Sequence, residues 1–144
     1  MDPLTPLFTI SKDFHLSASH VLTGLAEGHP CMRLHGHNYI VRASLQAAVL
    51  DGHGFVRDYG DLAPFAAVVD RWDHQHLNDL PPFAYLSDEE TASPTAERMA
   101  AYLCDLLAGF VMCEGWRNVT GVAVSVSETP KTWASCSMAL TVPS

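Results

Sequence analysis

Basic residues are scarce in this sequence: 8 Lys and Arg stand against 16 Asp and Glu, a formal charge of -8. Such a chain has no basis for a sequence-independent grip on nucleic acid or on an anionic bilayer, so any anionic ligand must be held locally by a few placed cations or a metal. Long apolar runs are missing as well. No stretch approaches the ~18 consecutive apolar residues of a membrane helix, and the opening MDPLTPLFTI has no basic residue and is broken by Pro3 and Pro6, unlike a secretory signal. A cytoplasmic location is the expectation, with neither nucleic acid nor membrane as partner. Cysteine is sparse: Cys31, Cys104, Cys113 and Cys136 form no CxxC pair, and in a reducing compartment disulfides are not expected. Internal repeats and low-complexity tracts are absent. What remains is 144 residues, 48% hydrophobic, enough for one core and too few for two independent domains, so a single domain over 1–144 is expected.

The apolar periodicity changes along the chain. In LFTISKDFHLSASH (7–20), Phe8, Ile10, Phe14 and Leu16 share one parity, which predicts a strand with an irregularity near Lys12 and Asp13. After a Gly- and Pro-containing loop, Tyr39, Val41, Ala43 and Leu45 alternate with polar positions as a second strand, and DGHG (51–54) makes a turn. Leu62, Phe65, Val69 and Trp72 then recur at helical steps, ending near Trp72. The acidic, Pro-rich segment 79–92 reads as an exposed connection. Ser93 as N-cap with Pro94 in the first helical position opens a second helix, whose buried face is Met99, Leu103, Leu106, Leu107 and Phe110. Alternation returns in 119–128, with Val122, Val124 and Val126 on one side, and 132–142 is rich enough in strand formers to pair with it. The order ββααββ predicts an α+β fold: a four-stranded antiparallel sheet with both helices on one face.

The segment HPCMRLHGHNY (29–39) holds three histidines and a cysteine. In an extended chain residues i and i+2 share a face, so His35 and His37 present two imidazoles side by side. If the first two strands pair antiparallel, His20 at the end of the first lies beside the start of the second and supplies a third nitrogen. Three imidazoles with an open fourth position describe a catalytic zinc site. Alternatively Cys31 is a fourth ligand of a closed site in a structural zinc-binding module. Glu128 continues the parity of Val122, Val124 and Val126, so it points a carboxylate to an otherwise apolar face, where a buried acid needs a partner. His15, His29 and His53 carry no special claim, and the HxH formed by His74 and His76 reads as loop polarity.

Taken together, FHLSASH, CMRLHGHNY, GFVRDYGDL, WDHQHLND, SPTAE and VSET resemble, in order from about residue 8 to 130, the family of 6-pyruvoyltetrahydropterin and bacterial 6-carboxytetrahydropterin synthases. The resemblance implies a tunnelling fold (T-fold), in which sheets of several subunits join into a barrel. It implies active sites at subunit interfaces, usually in a homo-hexamer of two trimers. It further implies Zn2+ held by His20, His35 and His37, and 7,8-dihydroneopterin triphosphate as substrate. Glu128 matches the family's pterin anchor and Thr95 a second ring-contacting position, followed by Glu97. Cys31 matches the catalytic base, and Asp73 and His74 match its two partners. Arg33 and Lys131 are the candidate triphosphate contacts, because an acidic protein must concentrate its few cations near such a ligand.

RLHGH following the cysteine is the pattern of carboxy-type sequences, which implies formation of 6-carboxy-5,6,7,8-tetrahydropterin with loss of the distal carbons as acetaldehyde. The alternative is 6-pyruvoyltetrahydropterin formation, which loses triphosphate and keeps every carbon. Two features depart from the family pattern: Trp72 replaces the leucine common before DH, and the chain ends in SMALTVPS.

Overall fold

The computed structural model describes residues 4–85 and 93–141. Residues 86–92 of the expected exposed connection lie outside them, as does Val142 of the last expected strand. Strand β1, Phe8–His20, pairs antiparallel with β2, His35–Ala47, in an unbroken thirteen-residue ladder from Phe8↔Ala47 to His20↔His35. Helix α1, Ala63–Trp72, follows a 3-10 turn at Tyr59–Leu62 whose N-cap is Asp58. Then come a two-residue strand β3, Gln75–His76, helix α2, Ala96–Glu114, and the hairpin of β4, Gly121–Ser127, with β5, Ala134–Ala139. The sheet order is β3-β1-β2-β4-β5, antiparallel throughout except for the parallel β1–β3 pair.

Strict alternation gives the sheet two unlike faces. Tyr39, Val41, Ala43 and Leu45 of β2 and Val122, Val124 and Val126 of β4 are buried on the inner face, under Phe65 and Val69 of α1 and Met99, Leu103 and Leu107 of α2. The outer face is hydroxylated and charged, with cross-strand pairs Ser11–Ser44 (2.8 Å), Ser17–Asn38 (2.7 Å) and Ser125–Ser135 (2.7 Å) and the bidentate Arg42–Asp13 ion pair (2.7 and 3.0 Å).

Several expectations need correction. A fifth strand, β3, joins the expected four because His74, at φ 59°, turns the chain and donates its N–H to the Ser17 carbonyl at 2.6 Å, laying the next two residues along β1. No irregularity interrupts β1 near Lys12 and Asp13. Lys12 keeps the parity of Phe14 and sets its ammonium 5.8 Å from that ring's centroid, so a snorkelling lysine had mimicked a break in the pattern. The N-cap of α2 is Thr95, whose Oγ1 accepts the Arg98 N–H at 3.2 Å, while Ser93 Oγ is taken by the Thr23 N–H at 3.0 Å. Leu106 and Phe110 are only half-buried, because α2 turns Ala100, Cys104 and Val111 into the core. The helix stops at Gly115, whose φ of 68° is the left-handed cap that favours glycine.

Phe65 is fully buried, with its ring centroid 5.4 Å from that of Phe14, so it joins α1 to β1. Phe65→Ala is expected to cost about 3–5 kcal/mol in urea unfolding, as a cavity at a site that cannot collapse. Thr95→Ala, which loses only a cap, is expected to cost about 1 kcal/mol. Equal losses for the two variants would contradict this division between core and cap.

Candidate metal centre

The register His20↔His35 sets three inward-facing side chains at one end of the β1–β2 ladder. Ring nitrogens of His20, His35 and His37 all lie within 4.8 Å of one another, and among the described residues this is the one group of His, Cys, Asp or Glu so gathered. Gly36, between two of the candidate ligands, allows the strands to meet: a Cβ there would lie 3.3 Å from the Ala18 carbonyl oxygen.

The hydrogen bonds decide which nitrogens face the centre. His20 Nδ1 is 2.9 Å from the Pro94 carbonyl oxygen and His35 Nδ1 is 2.7 Å from that of Arg33. A carbonyl only accepts, so both Nδ1 atoms carry the proton and both Nε2 atoms present a lone pair. Those Nε2 atoms are 2.9 Å apart. Two lone pairs at that distance repel unless a cation lies between them. His37 Nε2 is buried and has no hydrogen-bond partner. Burial of an unsatisfied polar atom is costly, and a metal ion accepting all three Nε2 lone pairs would remove both the repulsion and the orphan. The donor set therefore fits a borderline-soft divalent ion, with the Nδ1–H···O=C bonds acting as the orienting contacts usual for metal-ligating histidines. Burial pushes the His20 imidazole down to about 4, against the opposing effect of the Pro94 carbonyl and reinforced by His35, so it stays neutral and ligand-competent through the ordinary pH range. His37 is likewise lowered, first by burial, with the Glu128 charge acting the other way.

Glu128 follows β4 directly and is half-buried, one step beyond the ladder pair Ile40↔Ser127 and so beside Tyr39. Its charge is felt at both His37 and Tyr39. Cys31 sits half-buried on a 3-10 turn, Pro30–Met32, in the loop joining β1 to β2, and its N–H is capped by His29 Nδ1 at 3.1 Å. It does not join the imidazole group, so a closed centre of three imidazoles and one thiolate is not what this arrangement builds.

Asp73 and His74 are elsewhere on the sheet. Asp73 closes α1, and its Oδ1 accepts the Ser17 N–H at 2.8 Å, which together with His74 holds the carboxyl below its usual range. His74 Nδ1 lies 3.0 Å from Asp73 Oδ2, and its side chain is 82% exposed. His74 borders a groove of about 460 Å³ that Ser17, Ser19, His37, Asn38 and His76 also line. Thr95 spends its hydroxyl on the α2 cap, while Glu97, Arg33 and Lys131 are exposed. His76 bonds Ser19 Oγ at 2.9 Å.

Sequence reasoning missed three contributors. A helix start at Pro94 says nothing of where its carbonyl points, strand alternation gives Tyr39 no polar contact, and Asn78 lies within WDHQHLND without a role of its own. Asn78 clamps both the N–H and the carbonyl of Val21, at 2.9 and 3.0 Å, pinning the residue after His20. The parity that placed Tyr39 in line with His35 and His37 was the available signal for it.

An antiparallel sheet with helices on one face and three imidazoles at a strand end defines the class: an α+β T-fold protein with a candidate metal centre. The 6-pyruvoyl tetrahydropterin synthase family model matches residues 9–139, and the chain belongs to that family. It is 32% identical over 127 residues to the 6-carboxy-5,6,7,8-tetrahydropterin synthase of Bacillus subtilis (strain 168), covering 88% of this chain and 82% of that protein. Among solved structures, 6-pyruvoyl tetrahydropterin synthase of Plasmodium vivax superposes with a TM-score of 0.70 at 20% identity, covering 94% of this chain and 99% of that one. The Caenorhabditis elegans enzyme gives 0.70 at 24% identity, covering 92% and 96%. These two likenesses speak to the fold.

A divalent ion that binds only the folded chain must stabilise it, by about 2.7 kcal/mol at a free concentration 100 times Kd. Added Zn2+ or Co2+ is therefore expected to raise the Tm of the metal-stripped protein and to leave that of His37→Ala nearly unchanged. An equal rise in both would place the ion elsewhere.

Proposed function

We propose that the chain is a zinc-dependent lyase converting 7,8-dihydroneopterin triphosphate and water into 6-carboxy-5,6,7,8-tetrahydropterin, acetaldehyde and triphosphate. The observation that carries this reading is the gathering of His20, His35 and His37 ring nitrogens within 4.8 Å of one another, with the Glu128 charge felt at His37, in a chain 32% identical to a protein of that name. A zinc ion in this centre would supply Lewis acidity, polarising a side-chain oxygen of the substrate and acidifying the adjacent C–H.

The residues of the chain do the rest. Glu128 pairs with the N–H groups of the aminopyrimidinone ring through two charge-assisted hydrogen bonds, with Thr95 and Glu97 at the start of α2 as further ring contacts. Cys31 removes the proton from the side-chain carbon. His74 holds or relays that proton, and Asp73 orients the His74 ring. Arg33 and Lys131 take the triphosphate. Loss of triphosphate breaks a C–O bond. Uptake of water with cleavage between the first two side-chain carbons then leaves a carboxylate on the ring and two carbons as acetaldehyde. Oxidation of the first carbon is balanced by reduction of the dihydropterin ring to its tetrahydro form.

Within one chain Asp73 and His74 bond to the backbone of Ser17 in β1, and β3 covers β1 only at Ala18 and Ser19. The reading therefore includes a homo-oligomer, a hexamer of two trimers, in which a neighbouring copy meets that edge and completes the site; an unpaired strand edge favours such pairing. The single domain works in the cytoplasm, and among the described residues no helix is long and apolar enough to cross a membrane. The family match favours one other reaction, 6-pyruvoyltetrahydropterin formation, which has the same first half and releases no acetaldehyde.

Anaerobic incubation of zinc-loaded protein with 7,8-dihydroneopterin triphosphate, followed by product mass and an acetaldehyde assay, separates the readings. The carboxy product with stoichiometric acetaldehyde is expected; pyruvoyl product without acetaldehyde selects the other lyase, and unchanged substrate defeats both. Cys31→Ala is expected to keep fold and metal while losing about 10²–10⁴ in turnover, the range of general-base contributions. Unfolding or metal loss in that variant would instead favour a structural zinc module.

A further inference from the structure

Tyr39 is among the largest fully buried side chains, 1% exposed, yet it is no ordinary core residue. Strand parity puts it in line with His35 and His37, and the β1 register sets it opposite Leu16, on the inner face that also carries His20. Its ring touches two of the three imidazoles edge-on: the centroid lies 5.3 Å from that of His37 and 6.0 Å from that of His20, with interplanar angles of 71° and 86°. Its hydroxyl is 3.2 Å from His20 Nδ1.

That hydroxyl has a definite part in the proton arrangement. His20 Nδ1 already faces the Pro94 carbonyl at 2.9 Å, which only accepts, so the Nδ1 proton is shared between Pro94 O and the phenol oxygen. The phenol oxygen is thus an acceptor here, and its own proton is left to be donated elsewhere.

We infer that Tyr39 is a positioning residue of the metal centre: its hydroxyl, as a second acceptor beside the Pro94 carbonyl, holds the tilt of His20, its ring braces His37, and so it aims both Nε2 lone pairs at the ion. The inference rests on the proposed metal-dependent reading but needs no turnover to be examined. Outer contacts of this kind typically carry 10–100-fold in metal affinity. A purely packing role for Tyr39 would reside in the ring, which phenylalanine retains.

The test compares the wild-type protein with Tyr39→Phe, both stripped and reloaded. Zn2+ affinity is measured by competition with a chromogenic chelator, the Co2+ form by its visible d–d spectrum, and the stripped form by urea unfolding. Expected for Tyr39→Phe are Zn2+ binding weaker by about 10-fold or more and a shifted cobalt spectrum. Zn2+ affinity within about twofold of wild type together with an unchanged cobalt spectrum overturns the inference. If neither Zn2+ nor Co2+ binds the wild-type chain, the metal centre fails and the role of Tyr39 with it. If both bind and the pterin is not turned over, only the reaction is lost, and the two affinities still decide for or against Tyr39.

Discussion

The ladder between β1 and β2 closes on His20↔His35, and because side chains alternate with a period of two, sliding that register by one residue would turn one strand's apolar set to the other face. Burial of Leu16, Ala18, Tyr39, Val41, Ala43 and Leu45 therefore sets the register, and the register sets the imidazoles. The hydrophobic effect provides the driving force at roughly 25 cal/mol per Å² of apolar area removed from water. The polar cluster occupies the end of a ladder whose other inward positions, Lys12 apart, are apolar. This explains how so compact a gathering of imidazole nitrogens, with two lone pairs 2.9 Å apart, is tolerated in the folded chain.

The same alternation divides the labour of the sheet. Its inner face carries the core and, at one end, the centre; its outer face carries hydroxyl pairs and the Arg42–Asp13 ion pair, which is exposed enough to contribute little stability. Asp73 and His74 belong to neither face. They hang on the backbone of Ser17 at the strand edge, held by an α1 terminus and a left-handed residue. A site assembled from all the sequence-derived candidates must therefore span an edge, and an edge is where a second chain pairs most readily.

The long connection between β1 and β2 is anchored at its root. Asn78 holds Val21, Ser93 holds Thr23, and the Leu22 N–H reaches the Cys31 carbonyl at 2.9 Å. These bonds tie the loop that carries Cys31 to the segments flanking α2 and β3, so the thiol is placed by the same backbone groups that stabilise the end of β1. The start of α2 contributes twice, through the Thr95 cap and through the Pro94 carbonyl on His20.

Much of this was present in the sequence because it is periodic. Alternation alone placed β1, β2 and β4 and aligned His35 with His37; three- and four-residue spacing placed α1 and most of the buried face of α2. The rest depended on contacts that no local period encodes. A two-residue strand is too short to alternate, Lys12 obeyed the pattern in position while breaking it in polarity, and Ser93, the expected cap, is taken by Thr23, so that Thr95 caps the helix instead. The proton positions on His20 were set by a carbonyl 74 residues away. By itself the sequence determined which side chains face the core and which can bind a metal, because facing is a property of one strand. Tertiary structure alone decided which nitrogen of each ring is free, where Asp73 and His74 stand, and that Tyr39 touches His20, because each of these requires two distant segments to meet.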